Sequence, residues 1–185
     1  MRVISGTHKG RVLKSVRDPR IRPATDRVKE SIFNILQNRL DLRGARVLDL
    51  FAGSGSLGFE ALSRGAAKVI FVDDWEKAVE AIKENATFLQ CTNRCETIKQ
   101  DVYQFLSRAD GQFDLVFLDP PYKQEESLQL PARIFDKGLV APAGMLVMER
   151  AARMKISPDL HFALALERTF GTTVVSFFKP ILTNP

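Results

Sequence analysis

The stretch FDLVFLDPPY, Phe113 to Tyr122, sets an apolar run directly against a carboxylate, two prolines and an aromatic ring. A turn alone would need no more than Gly or Asn, so this ending suggests chemistry. Asp119 can accept one N–H of an exocyclic amine on a planar base and the carbonyl of Pro120 the other, while Tyr122 stacks on the ring. Such an amine is a poor nucleophile because its lone pair is delocalised into the base. Held by two acceptors it pyramidalises, and its electrons point at an incoming carbon. Pro120 and Pro121 fix the backbone dihedrals, so the carbonyl is presented rigidly and without a competing N–H. Orientation and a pre-set electrostatic environment can supply roughly 7 to 11 kcal/mol in well-aligned systems. Asp119 need not be a strong base, since the amine acidifies only as the new C–N bond forms.

The donor of that carbon needs its own cradle, and Ala52-Gly53-Ser54-Gly55-Ser56-Leu57-Gly58 reads as one. It matches G-x-G-x-x-G between a strand and a helix, with Asp73 twenty residues past Gly53 placed to accept from ribose hydroxyls. The loop implies an adenosine-type cofactor but does not by itself choose between NAD and S-adenosylmethionine. Asp49, four residues before Gly53, favours the second, with an NAD oxidoreductase still open on sequence. A carboxylate there opposes a doubly negative pyrophosphate and favours the sulfonium and ammonium of S-adenosylmethionine. In Gln100-Asp101-Val102, after the third strand, Asp101 stands where it could accept from the adenine amine.

These residues need a scaffold that brings strand ends together. Arg46–Phe51, Lys68–Asp73, Glu96–Gln100, Phe113–Leu118 and Gly144–Glu149 read as short apolar strands. Between them Ser56–Ser63, Glu76–Leu89, Val102–Ser107 and Glu126–Phe135 read as helices, and Ala78, Ile82, Asn85, Ala86 and Leu89 lie along the second. This alternation specifies an α/β fold with a mostly parallel sheet covered on both faces. Ala163–Thr169 and Thr172–Phe178 are joined only at Phe170-Gly171, too short for a crossover, so they form an antiparallel C-terminal hairpin in a sheet of about seven strands. Before Ala45, RVISGTHKGRVLKS reads as a basic hairpin, and Thr25 is placed to cap a helix carrying Val28, Ile32, Phe33, Leu36 and Leu40. Residues 1–44 are thus expected to be a basic N-terminal extension and 45–185 the Rossmann-like domain.

The chain's 185 residues fit one domain, and its net charge of +5 is unevenly spread. Residues 1–46 hold 12 Lys and Arg against 4 Asp and Glu, a balance of +8; the remainder holds 15 against 18, or −3. Clustered cations suit a polyanion. Arg2, Lys9, Arg11, Lys14, Arg20, Arg22 and Arg27 are the candidate phosphate contacts, which would position an RNA while the pocket selects the base. No apolar run approaches the roughly 18 to 20 residues of a membrane span, and MRVISGTHKG lacks the apolar stretch of a secretory signal, so a cytoplasmic protein is expected. Cys91 and Cys95 are the only cysteines; with His8 and His161 far off in sequence, free thiols are expected and no metal site.

The glycine loop followed by DPPY resembles the class I S-adenosylmethionine-dependent amino-methyltransferases. Along nearly the whole chain the sequence is similar to one branch, the RsmD-type 16S rRNA guanine-N2 methyltransferases. The resemblance rests on RVISGTHKGRVL, IRPATDRVKESIFNIL, VLDLFAGSGSLGFEALSRGA, VDDWEKAVEAIKENA, LVFLDPPY and TFGTTVVSFF. LDLFAGSGSLG and DPPY mark the broad class, whereas RPATDRVKESIFN with LGFEALSRGA marks the branch. It implies methylation of one guanine N2 amine, position 966 in the usual 16S numbering, on the small ribosomal subunit or its assembly intermediate; a monomer is expected, with oligomeric state open on sequence. It also implies that Asp49, Ala52, Gly53, Ser54, Gly55, Gly58 and Asp73 or Asp74 hold the cofactor, Asp101 and Val102 its adenine, Thr25 the region near its methionine end, and Asp119, Pro120, Pro121 and Tyr122 the guanine. The family commonly has Glu in place of Asp73 followed by a basic residue in place of Asp74, which leaves both acids as candidates for the ribose. It also often reads Gly-Asp-Thr where this chain has Gly171-Thr172-Thr173. Adenine-N6 methylation of DNA or RNA uses the same amine chemistry, and a non-catalytic rRNA-binding assembly factor would share the basic extension; both stay open on sequence.

Overall fold

The computed structural model describes residues 1–16, 26–121, 125–156, 159 and 161–181. Helices α1 (Asp26–Leu36), α2 (Ser56–Ser63), α3 (Glu76–Phe88), α4 (Val102–Arg108) and α5 (Leu130–Asp136) alternate with strands β1 (Arg46–Leu50), β2 (Lys68–Asp73), β3 (Cys95–Lys99), β4 (Phe113–Leu118) and β5 (Val140–Ala151). The chain then closes with β6 (Phe162–Phe170) and β7 (Thr173–Pro180). One seven-stranded sheet results, ordered β3-β2-β1-β4-β5-β7-β6. The first five strands are parallel, and β7 is antiparallel to both β5 and β6. Strand order reverses between β1 and β4, which opens a crevice at their carboxyl ends, the usual ligand site of such sheets.

Side-chain alternation divides the core into two layers. Val47, Phe71, Phe117, Val147 and Val175 face α1, α2 and α3, while Leu48, Val72, Leu118, Met148 and Phe178 face α4 and α5. Helix α1 buries Val28, Ile32, Phe33 and Leu36, spaced by three and four residues, and Phe33 meets Phe117 with ring centroids 5.8 Å apart. At about 2 kcal/mol per buried side chain, this stripe contributes roughly 8 kcal/mol of gross burial and fixes the helix on the sheet. Val3 and Leu13 join the same apolar cluster, so residues 1–16 pack on the molecule as an arm.

The N-terminal hairpin forms around the Arg2↔Val12 bridge, with Val3 N–H donating to the Arg11 carbonyl at 3.0 Å, Gly10 N–H to the Val3 carbonyl at 2.9 Å and Leu13 N–H to the Met1 carbonyl at 2.9 Å. Toward its turn the hairpin is docked on α2: Ile4 and Ser5 N–H donate to Glu60, and Thr7 N–H donates to the Ser63 carbonyl. The helical stretch after DPPY divides into a 3-10 turn, Glu125–Gln129, and α5, because Pro131 near the start of α5 opens a new helix N-terminus. Thr25 lies outside the described residues, so its cap on α1 does too. No helix among the described residues is long and apolar enough to cross a membrane.

Candidate active site

Register brings acids in or just after five strands to one edge. Asp49 pairs with Phe117 and Leu50 with Leu118, so Asp119 follows immediately at the end of β4, its N–H donating to the Leu50 carbonyl at 3.4 Å. On the other side Leu118 pairs with Met148, which sets Glu149 beside Asp119. Asp73 ends β2, and Gln100 N–H donates to its carbonyl at 3.1 Å, drawing Asp101 to the same edge. Pro120 is buried behind Asp119 and Pro121 is exposed; Tyr122 lies outside the described residues.

The glycine loop is tied down by these acids. Asp49, 2% exposed, accepts from Gly58 N–H at 2.9 Å. Asp73 accepts from Gly53 N–H at 2.8 Å with one oxygen and from Trp75 N–H at 2.9 Å with the other. Asp74 is exposed. Asp101 caps α4 by accepting from Gln104 N–H at 2.9 Å, and the neighbouring Val102 is buried. Gly58 has no room for a side chain, since a Cβ would stand 2.3 Å from the Phe71 ring and 2.9 Å from the Asp49 carboxylate. Gly53, at φ +55°, would point a Cβ into open space, so its backbone lines the cleft.

Electrostatically the edge is acidic. Burial pushes the Asp49 carboxyl up to about 8, offset in part by the Gly58 N–H and reinforced by Asp73. Burial raises Asp73 as well, with the Trp75 and Gly53 N–H groups working against it and Asp74 with it. Asp119 is held well above the usual carboxylate range by burial, then by Glu149 and Asp49. Among the described residues no cationic side chain pairs with Asp49, Asp73 or Asp119. A ligand bearing positive charge, with hydroxyls for the free lone pairs of Asp73, fits this donor set; a pyrophosphate does not.

The basic candidates lie along one flank. Arg2, Lys9, Arg11, Lys14 and Arg27 are exposed. Arg11 lies over the Phe88 ring at 5.5 Å, and Lys14 pairs with Glu84 at 2.6 Å. Thr7 and His8 bond Ser63, the last residue of α2, and Phe88 is the last of α3. At 1.5 Å per residue those helix ends stand about 11 and about 18 Å from the helix starts at the acidic edge. The arm therefore runs from the far end of the sheet up to the cleft. Arg20 and Arg22 lie outside the described residues, as does Thr25.

Sequence reasoning passed over three buried polar residues. Glu149 read only as the end of a strand, and Lys29 sits between the apolar positions of α1. Asn85 read as a member of the α3 stripe; a buried amide among apolar positions was the available signal.

Residues 1–179 match the family described as Conserved hypothetical protein 95. YlbH of Bacillus subtilis, provisionally named an rRNA methyltransferase, is 40% identical over 183 residues, covering 97% of this chain and 98% of that one. The ribosomal RNA small subunit methyltransferase D of Haemophilus influenzae is 35% identical over 180 residues, covering 96% and 91%. Among solved structures, yhhF of Escherichia coli, provisionally named a methyltransferase, superposes with a TM-score of 0.82 at 29% identity over 97% of both chains. The sheet order, the glycine loop and these relatives agree on a class I methyltransferase, the class whose methyl donor is S-adenosylmethionine. The chain belongs to the Conserved hypothetical protein 95 family, that of the RsmD-type methyltransferases.

Proposed function

We propose that this protein methylates the exocyclic N2 amine of one guanine in 16S rRNA, position 966 by family resemblance, within the small ribosomal subunit or its assembly intermediate. The observation that carries the reading is the half-buried Asp119 at the end of β4, next to Asp49 and the glycine loop and backed by two prolines. Supporting it, relatives covered along most of their length are named for methylation of small-subunit rRNA.

S-adenosylmethionine, when bound, supplies an electrophilic methyl group and a positive charge. In this reading Asp49 faces that charge, Asp73 accepts from the ribose, with exposed Asp74 outside the contact, and Ala52, Gly53, Ser54, Gly55 and Gly58 let the backbone approach. Asp101 accepts from the adenine amine, and Val102 packs on its ring. Asp119 and the Pro120 carbonyl each take one N–H of guanine N2, so the nitrogen lone pair is directed at carbon. As the C–N bond forms, the nitrogen proton becomes acidic and passes to Asp119, whose raised proton affinity suits it to receive it. Stacking by Tyr122 and a contact from Thr25 rest on the motifs. Residues 1–44 serve as the RNA-binding extension, with the exposed cations of the arm on phosphates and 45–185 as the catalytic domain.

Incubating unmodified small-subunit particles with labelled S-adenosylmethionine and analysing the nucleosides tests this. N2-methylguanosine is the expected product; N6-methyladenosine, or no transfer to RNA at all, contradicts the assignment.

A further inference from the structure

Hydrogen bonds tie the N-terminal arm to α3 across 71 residues of sequence and to the glycine loop across 38. Asn85 of α3, 2% exposed, accepts from Lys14 N–H at 2.9 Å and donates back to the Lys14 carbonyl at 3.0 Å. The same amide donates to the Ser54 carbonyl at 3.3 Å. The hydroxyl of Ser54 in turn accepts from Val16 N–H at 2.9 Å. On the other side of Gly55, Lys29 of α1, 1% exposed, donates to the Arg2 carbonyl at 2.5 Å and to the Ser56 hydroxyl at 3.3 Å.

Two features of this arrangement matter. First, the arm is held by its backbone, at residues 2, 14 and 16, while the side chains of Arg2, Lys9, Arg11 and Lys14 stay exposed. Whatever orders those cations also orders the backbone that grips the loop. Second, Ser54 and Ser56 flank Gly55, whose φ of +78° turns the loop into α2. Whatever orders the loop holds the arm in place. Two ligands that each favour the same docked state bind more tightly together than alone, by a factor that is the same in both directions.

We propose that Asn85 is a positioning residue for methyl transfer, clasping the RNA-bearing arm to the cofactor loop so that RNA and cofactor strengthen each other's binding. This rests on the reading of the arm as an RNA contact given above. Asn85 touches neither ligand. It acts through Lys14 on one side and Ser54 on the other.

The test is the affinity for S-adenosylhomocysteine, measured by calorimetry with and without saturating unmodified small-subunit particles. The native protein should bind about tenfold more tightly when RNA is present, within the usual range of coupling between sites. In Asn85→Ala that ratio should fall to within twofold of one. Ser54→Ala, which removes only the hydroxyl bond to Val16, should lower the ratio part-way and serves where Asn85→Ala does not fold. Hydrogen exchange at the Lys14 and Val16 amides should slow when either ligand is added to the native protein, a response that static packing would not give. A ratio of one in the native protein, or a ratio unchanged in both variants, overturns the clasp. Incubating the same proteins and particles with S-adenosylmethionine instead, followed by nucleoside analysis, keeps the two readings apart: a failed clasp leaves N2-methylguanosine as the product, whereas a failed functional assignment removes it.

Discussion

Two carboxylates buried on the same side of the sheet, Glu60 in α2 and Asp49 in β1, are treated in opposite ways. Glu60 is 0% exposed and fully supplied: Ile4 N–H donates at 2.7 Å, Ser5 N–H at 3.0 Å and the Arg64 guanidinium at 2.8 Å. Arg64 also lies over the Phe33 ring at 4.7 Å, which locks the pair into the core. Asp49 is as deeply buried but accepts from Gly58 N–H and has no cationic partner among the described residues. A buried carboxylate with its own counter-ion belongs to the fold; one with none among the described residues suits a positive charge brought by a ligand. This is why the acidic edge is the site proposed for the ligand, while Glu60 is the bolt that holds the arm to α2.

Substitutions can break this contrast. The largest effect is expected at Asp119: Asp119→Ala should lower the single-turnover rate of methyl transfer by about 10³-fold, with RNA and S-adenosylhomocysteine still bound. Unchanged methylation would remove Asp119 from the reaction. Next, Glu60→Ala strands a guanidinium and two N–H groups and should destabilise the protein by about 3 kcal/mol in urea titration, loosening the arm. Asp49→Asn should behave inversely, with stability held or slightly raised and S-adenosylmethionine bound about tenfold more weakly. If both substitutions cost the same stability, the contrast has no functional meaning.

A subtler consequence concerns pH. The free-state Asp49 carboxyl is pushed up to about 8, and a bound cation draws it down because the charged form is then favoured. The deprotonated form is the one that binds. Affinity for S-adenosylmethionine should therefore rise with pH up to about 8 and level off above it, and Asp49→Asn should flatten the profile.

The parallel strands were legible because their short apolar runs alternate with helices, and the β6–β7 hairpin because Phe170-Gly171 leaves no room for a crossover. The edge position of β6, outside β7, was not, because strand order is set by contacts remote in sequence. Asp119 could be read from its neighbours: prolines and an aromatic ring after an apolar strand have few structural uses. Glu149 could not, because its role comes from register with β4 rather than from any local pattern. The arm's alternating residues fit the hairpin that it forms, but its docking on Glu60, Ser63 and Asn85 was not legible, because the polarity of a side chain alone does not reveal a backbone partner.

The most direct measurement is the number of protons released when S-adenosylmethionine binds, taken from calorimetry at pH 7 in two buffers of different ionisation enthalpy. If Asp49 waits for the cofactor's positive charge, the native protein should release close to one proton per cofactor and Asp49→Asn markedly less. Equal release from both proteins, or none from the native one, would contradict the claim that this acid is reserved for the cofactor.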